Sequence, residues 1–146
     1  MTVAPDFEFV EGATSDLSFV ARGDTPEEAL AAAAEALLAA TVEDPASVRD
    51  DLSRCVDLAA GDLDLLLLRF LNELVYLRDA EDLLLRARRV RVAELPEGPR
   101  VHAELVGERW CADRHMPGAE VKAATAHGLA LRPVDGHWEA RATLDV

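Results

Sequence analysis

The chain has 146 residues, half of them apolar, which fits one domain over residues 1–146 with a full-sized core. No apolar run approaches the roughly 20 residues that cross a membrane, and no basic or apolar leader opens the chain, so we expect a cytoplasmic protein without membrane contacts. The net charge of −13 disfavours direct nucleic-acid binding and favours cations or basic partners; acidity that confers only solubility is the alternative.

Apolar and polar residues alternate near the start of the chain, a pattern typical of strands. The apolar positions of this pattern are Phe7, Phe9, Leu17 and Phe19. Asp16 and Ser18 fall on the opposite, polar phase of the second stretch. We therefore expect two strands before the first helix.

The first helix has a clear start signal. Thr25 can cap the free amides, Pro26 suits the first helical position, and Glu28 completes a capping box. The helix is expected to continue to about Thr41, with the alanine run at 31–34 on its surface.

A strand at residues 52–58 precedes the second helix, which begins at Asp62, an N-cap candidate, and runs through Leu77. This helix is apolar on nearly every side. We therefore expect it to be buried between layers of structure rather than to lie on the surface.

The rest of the chain again alternates with period two, which predicts strands at residues 89–92, 101–105, 121–131 and 137–145. Proline and glycine mark turns at 96–99 and 133–136, and the second of these joins a final hairpin. The elements add up to an α+β domain: a mostly antiparallel sheet, or pair of sheets, carrying two main helices.

Two cysteines, Cys55 and Cys111, lie far apart in sequence and form no CxxC motif. In a cytoplasmic protein we expect two free, buried thiols, with a metal or redox pair as the alternative.

Four segments resemble one known family when they are taken together and in this order. They are residues 7–10 with Thr14-Ser-Asp16, residues 62–79, residues 113–127 and residues 138–146. The second contains Phe70-Leu-Asn-Glu-Leu-Val-Tyr-Leu77, and the third is similar to a family motif that runs Arg-His, Gly, Glu-Val-Lys-Ala, Thr, His. The family they resemble is that of the archeases, and the likeness covers nearly the whole chain.

The resemblance implies a fold of interleaved strand-helix-strand-strand modules and an accessory function. Archeases assist the RNA ligase of tRNA splicing by promoting its guanylylation and turnover, and they do not ligate RNA themselves. The family's metal site corresponds here to Asp16, Asp145 and the backbone of Val146, with Ca²⁺ or Mg²⁺ as the expected ion. Lys122 is implied as a contact to a phosphate or to the ligase, and His115 is a second candidate for such a contact.

One family motif is altered in this sequence. The family's His-Thr-Ala-Asp corresponds to Gly12-Ala-Thr-Ser-Asp16, so the histidine is missing. The resemblance is therefore also compatible with a diverged member that has weaker activity or a different partner.

The residues themselves indicate the chemistry of such a site. Asp16 and Asp145 lie on the polar phases of their strands, and Val146 would add its α-carboxylate beside Asp145. Carboxylates at neighbouring strand ends can share a hard cation with carbonyls and water. Two solvated surface aspartates are the alternative, because exposed aspartate is common.

The remaining polar candidates each have a simpler interpretation. Lys122 could be a surface lysine that pairs with Glu120. His115 lies in a loop and is open to either interpretation, whereas His127, on the apolar phase of its strand, is expected to be a hydrogen-bonded structural residue.

The sequence contains no GxSxG, P-loop or GxGxxG motif, which makes an intrinsic enzyme the weaker class. Three hypotheses remain. The leading one is a ligase activator that acts through protein contact and a metal ion. The others are a metal-dependent phosphohydrolase that uses the same carboxylates, and a non-catalytic protein-binding module that has lost the metal site.

Overall fold

The computed structural model describes residues 5–10 and 16–146 of the chain. In chain order these residues form β1 (Asp6–Val10), β2 (Leu17–Gly23), α1 (Pro26–Thr41), β3 (Leu52–Ala59), α2 (Leu63–Glu81), β4 (Leu83–Leu95), β5 (Gly98–Arg109), β6 (Ala123–Val134) and β7 (His137–Asp145). A short 3₁₀ turn, Pro45–Ser47, lies between α1 and β3.

The strands form two antiparallel sheets, one with the order β1-β2-β7-β6 and the other with the order β3-β5-β4. The unit β3-α2-β4-β5 is inserted between α1 and the hairpin of β6 and β7, which completes the sheet that β1 and β2 begin. This arrangement confirms the expected α+β class and its interleaved modules.

Helix α1 begins as its sequence predicts. The Glu28 amide donates to Thr25 Oγ1 at 3.1 Å, and the Glu28 carboxylate accepts from the Asp24 amide at 2.7 Å. The alanine run is not on the surface as expected: Ala32, Ala33 and Ala34 are buried, and no residue of α1 is exposed. The helix contacts strands of both sheets, and its small side chains allow this close approach.

Helix α2 is capped by Asp62, whose carboxylate accepts from the Leu65 amide at 2.9 Å, and it extends beyond Leu77 to Glu81. Its broad apolar face is buried through Leu66, Leu67, Phe70, Leu71, Leu74, Val75 and Leu77. The expectation that the helix is buried nearly all round is wrong on one side, since Leu65 and Tyr76 are 44% and 61% exposed.

Side chains of α2 cover the outer edge of β6, which is an edge strand. Asn72 exchanges two hydrogen bonds with the backbone of Ala124, at 2.8 and 3.1 Å, and the Asp64 carboxylate accepts from the Leu131 amide at 2.8 Å. Edge amides satisfied in this way cannot pair with another chain. The helix thereby holds β6 in place, and β6 pairs with β7, the strand that ends at Asp145.

Both predicted turns form. The β4–β5 turn lies at residues 96–97, and the strand before it begins at Leu83, earlier than its alternating stretch suggests. The β6–β7 turn is tighter than the proposed 133–136, because Pro133 is still in β6. Asp135 and Gly136 have φ of 50° and 85°, as a two-residue type I′ hairpin turn requires.

The cysteines are free as expected, but they are not both buried: Cys55 is exposed and Cys111 is half-buried. Cys55 lies outside the core because its neighbour Val56 occupies the inward phase of β3. In residues 5–10 and 16–146 we find no helix with the length and apolar character needed to traverse a bilayer.

Truncation of a buried leucine tests whether α2 is structural. Leu71 is 0% exposed, so Leu71→Ala should lower the free energy of unfolding by about 2–5 kcal/mol, measured by chemical denaturation. Leu65→Ala is the matched control, because Leu65 is 44% exposed and its loss should cost much less. A loss below about 1 kcal/mol for Leu71→Ala would show that the helix is peripheral.

Candidate functional site

The pairing of β2 with β7 sets Asp16 and Asp145 at the same end of the four-stranded sheet. Leu17 lies opposite Leu144 in the β2–β7 register, so continuing that register by one position places Asp16 beside Asp145. Both aspartates are half-buried. By strand alternation they share the face of Ser18 and Thr143, while Leu144 packs in the core on the other face.

A chain of hydroxyl groups lies one step inward from the two aspartates. Ser18 Oγ is 2.8 Å from Thr143 Oγ1, which donates to the His127 carbonyl at 3.0 Å. Since the single Thr143 proton is used on that carbonyl, Ser18 is the donor in the hydroxyl pair. Thr125 Oγ1 donates in turn to the Thr143 carbonyl at 3.2 Å. This chain of hydroxyl groups could not be predicted from the sequence, because it joins positions that are 125 residues apart.

A large bulge in β6 brings the His127 carbonyl within hydrogen-bond distance of Thr143. Thr125 pairs with Thr143 and Ala130 with Arg141, so four residues of β6 face a single residue of β7. The expectation for His127 as an inward structural residue is wrong, because its side chain is exposed. The bulge changes which residues of β6 face inward, so the alternating pattern does not hold here. The backbone of His127, and not its side chain, joins the chain of hydrogen bonds.

Lys122 and Val146 flank Asp145. The Lys122 amide donates to the Asp145 carbonyl at 2.8 Å, and the next residue, Ala123, is the cross-strand partner of Asp145. The Lys122 side chain is exposed and makes no ion pair with Glu120. The half-buried Val146 side chain packs against the core. The structure therefore brings Asp16, Asp145, Val146 and Lys122 to one end of the four-stranded sheet.

The potential metal ligands at this end of the four-stranded sheet are of the type that binds a hard cation, but they are few. All are oxygen atoms, from carboxylates, hydroxyls and carbonyls, as Ca²⁺ and Mg²⁺ prefer. Within residues 5–10 and 16–146, no three His, Cys, Asp or Glu side chains come together in a group that could hold a metal ion. A cation here would thus be held by two carboxylates and water, a pattern that suits Mg²⁺. The altered motif at residues 12–15 lies outside the described residues.

The side chain of His115 lies in the interior, 0% exposed. Its Nδ1 accepts from the Cys111 amide at 2.8 Å, so its Nε2 carries the proton and donates to Glu108 at 3.0 Å. The expected contact of His115 with a phosphate or partner is therefore wrong, because both ring nitrogens are used inside the protein.

Glu108 is the centre of this cluster, and sequence reasoning missed it. Burial alone would raise the pKa of its carboxyl, but hydrogen bonds from the Arg49 amide, Arg114 and His115 outweigh burial and lower the pKa to about 2. The Arg49 amide donates at 2.6 Å, and Arg114 binds the other carboxylate oxygen. The available signal was a charged residue directly after the uncharged run Leu105-Val-Gly107, where the alternation of β5 breaks.

The segment between β5 and β6 is held at a second place, the end of α1. The Gly118 and Ala119 amides donate to the carbonyls of Thr41 and Ala40 at 2.9 and 2.8 Å. A Cβ atom on Gly118 would lie 2.5 Å from the Ala40 carbonyl oxygen, so a larger residue does not fit. Together with the Glu108 cluster, these contacts fix the segment that ends at Lys122.

The carboxylate of Glu108 predicts an acid-sensitive contribution to stability. Because its pKa falls from 4.5 to about 2 on folding, the charged form stabilises the fold above pH 4.5, and this contribution disappears as the pH falls towards 2. Glu108→Gln should lower the free energy of unfolding by about 2–3 kcal/mol at pH 7, and the difference from wild type should shrink below pH 4.5.

The measurement is denaturant unfolding at several pH values. Glu97→Gln, at an exposed turn position, is the control and should leave the curve near wild type. A difference for Glu108→Gln that stays constant from neutral pH to pH 3 would contradict this account of the cluster.

Comparison with known proteins identifies the family of this chain. The model of the Archease protein family matches residues 7–146. Curated archeases of Pyrococcus abyssi and Thermococcus gammatolerans are 33% and 36% identical over 134 residues, 91% of this chain and 94% of each relative.

Two solved structures resemble the fold. The solution structure of Methanobacterium thermoautotrophicum protein 1598 is 31% identical, with a TM-score of 0.83 over 96% of this chain and 98% of that one. The crystal structure of an archease from Thermotoga maritima, described as a possible chaperone, is 16% identical, with a TM-score of 0.62 over 91% and 92% of the two chains; it supports the fold alone. On the family match and these identities, the chain belongs to the archease family.

Proposed function

We propose that this protein activates an RNA ligase of tRNA splicing, promoting its guanylylation and turnover, and that it acts through a divalent cation held by Asp16 and Asp145. The β2–β7 register is the observation that supports the proposal, because its continuation by one position beyond Leu17 and Leu144 sets Asp16 opposite Asp145. Family membership supports the choice of partner, and the oxygen donors support the choice of a hard cation.

Electrostatics at this sheet end favour a bound cation. Further along the same face of β7, Glu139 lies beside two guanidinium groups, Arg22 at 3.7 Å and Arg141 at 3.1 Å, and beside the His137 ring at 3.1 Å. Burial alone would raise the pKa of Glu139, but hydrogen bonds from His137 and Arg141 lower it overall. Asp145 has no such ion pair within residues 5–10 and 16–146, and a cation would reduce its repulsion with Asp16.

Lys122 adds a positive charge beside these carboxylates. It is the only lysine of the chain, whereas the other fourteen of the fifteen basic residues are arginine. A lysine presents a compact point charge, whereas arginine presents a broad planar fork. We infer that Lys122 contacts a phosphate oxygen or an acidic group at the ligase active site, where a divalent cation would supply Lewis-acid charge to the same phosphate.

The charge of the whole molecule supports action through a protein partner. A net charge of −13 opposes direct binding of RNA, and it steers a basic protein surface towards this one. In this proposal RNA therefore reaches the site only when it is held by the ligase. The protein alone should neither ligate RNA nor hydrolyse a phosphate ester, and turnover of such an ester by the purified chain would support the phosphohydrolase alternative.

Removal of one carboxylate tests the cation site. Asp145→Asn should abolish Ca²⁺ or Mg²⁺ binding in isothermal calorimetry, because the amide keeps the shape and loses the charge. Circular dichroism should show an unchanged fold. Asp113→Asn, in an exposed position, is the control and should bind as wild type does. Unchanged binding in Asp145→Asn would rule out this location for the ion.

The function itself is tested with the cognate RNA ligase, GTP and a divalent ion, by following covalent transfer of GMP to the ligase. Wild-type protein should raise the rate, and Asp16→Ala and Lys122→Ala should each reduce the effect. Lys122→Arg keeps the charge and separates a need for the ammonium group from a need for charge alone. If wild-type protein changes neither guanylylation nor ligase turnover, the proposed function is wrong.

A further inference from the structure

A cavity of about 240 Å³ lies between the C-terminal halves of α1 and α2 and the segment that joins β5 to β6. Its walls combine polar groups with apolar side chains, which include Leu37, Leu38, Leu74, Val75, Leu83 and Val121. Pockets for whole small-molecule ligands usually measure roughly 300–1,000 Å³. This cavity has a size that suits a single side chain.

Two carboxylates line the same cavity. Asp79 and Glu120 are exposed, and neither makes an ion pair or hydrogen bond with any residue in the described part of the chain. Arg78 also lines the cavity, but its charge is offset by Asp82 at 2.5 Å, and its guanidinium lies 5.6 Å from the centre of the Trp110 ring. Its Nε is buried and has no hydrogen-bond partner within residues 5–10 and 16–146. The charge left for a ligand is therefore negative.

Exposed apolar residues adjoin the lining in sequence. Tyr76 follows the lining residue Val75 and is 61% exposed, and Met116 precedes the lining residue Pro117 and is 62% exposed. Large exposed apolar side chains beside a pocket are typical of protein interfaces, where tyrosine and methionine are enriched. These residues favour a protein partner over a free metabolite.

We propose that this cavity binds an arginine or lysine side chain presented by a protein partner. The aliphatic stem packs against Leu37, Leu74 and Val121, and the charged end lies at Asp79 and Glu120, since long basic side chains combine an apolar stem with a charged tip. The identity of the partner as an RNA ligase rests on the proposed function. The inference that the cavity takes a basic side chain does not depend on the proposed function.

The first test uses n-butylguanidinium, which is the free form of an arginine side chain with its apolar stem. Titration of ¹⁵N-labelled protein should shift the amide signals of the lining residues in NMR spectra. Pentanoate, with a similar stem and the opposite charge, should bind more weakly. Butylguanidinium shifts that avoid the lining residues, or equal binding of pentanoate, would overturn the inference.

Variants separate the charged part of the cavity from its apolar part. Asp79→Asn combined with Glu120→Gln should weaken butylguanidinium binding about fivefold, the effect expected from losing two exposed charge pairs. Glu73→Gln combined with Glu97→Gln removes the same charge outside the cavity lining and should leave binding near wild type. Ala119→Phe should fill the cavity and abolish binding. Equal weakening by both double variants would reduce the effect to net charge and contradict the site.

The cognate ligase provides a test that separates the two proposals. The Asp79→Asn, Glu120→Gln variant should bind ligase more weakly while its divalent ion binding, measured by calorimetry, stays at the wild-type level. If the ligase does not bind wild-type protein at all, the proposed function fails, but the butylguanidinium result still decides the cavity. If the probe does not bind, the cavity inference fails whatever the ligase does.

Discussion

The pairing of β2 with β7 is the constraint on which the rest of this structure depends. It joins strands from the two ends of the chain into one sheet, and the inner face of that sheet packs on α1, a helix in which half of the residues are alanine. Alanine allows α1 to approach both sheets closely, so one continuous core serves both modules. The polar face of the same pair carries Asp16 and Asp145, so one set of backbone hydrogen bonds specifies both the core and the candidate site.

Local chemistry explains which parts of the fold could be predicted. The starts of both helices depend on side chains within one turn, Thr25 with Glu28 and Asp62, and these signals are read directly from sequence. The burial of the α1 alanines was not predictable in this way, because alanine is common both on the surface and on the buried side of a helix. It follows only from which strands lie on either side, and strand order is a long-range property.

The positions of the candidate-site residues in the fold were predictable in part for the same reason. Asp16, Asp145 and Lys122 came from family resemblance and the phase of their strands, and the register brings them together. The Ser18–Thr143 contact and the β6 bulge depend on exact pairing between distant strands, which alternation does not encode. His115 shows the opposite kind of error. Its place in a family motif suggested that it contacts a partner, whereas it is buried beside Glu108 and stabilises the loop after β5.

The insertion of β3-α2-β4-β5 between α1 and β6 has a consequence for synthesis of the protein. During translation the inserted unit is complete well before β6 and β7 appear, and it can collapse on its own hairpin. Apolar surface on β2 and α1 then stays uncovered until residues 137–145 have been synthesised. Such a chain is exposed to aggregation until β7 has been synthesised and released. Asp16 and Asp145 can therefore come together only after β7 has been made, and a nascent chain that lacks β7 has no candidate site.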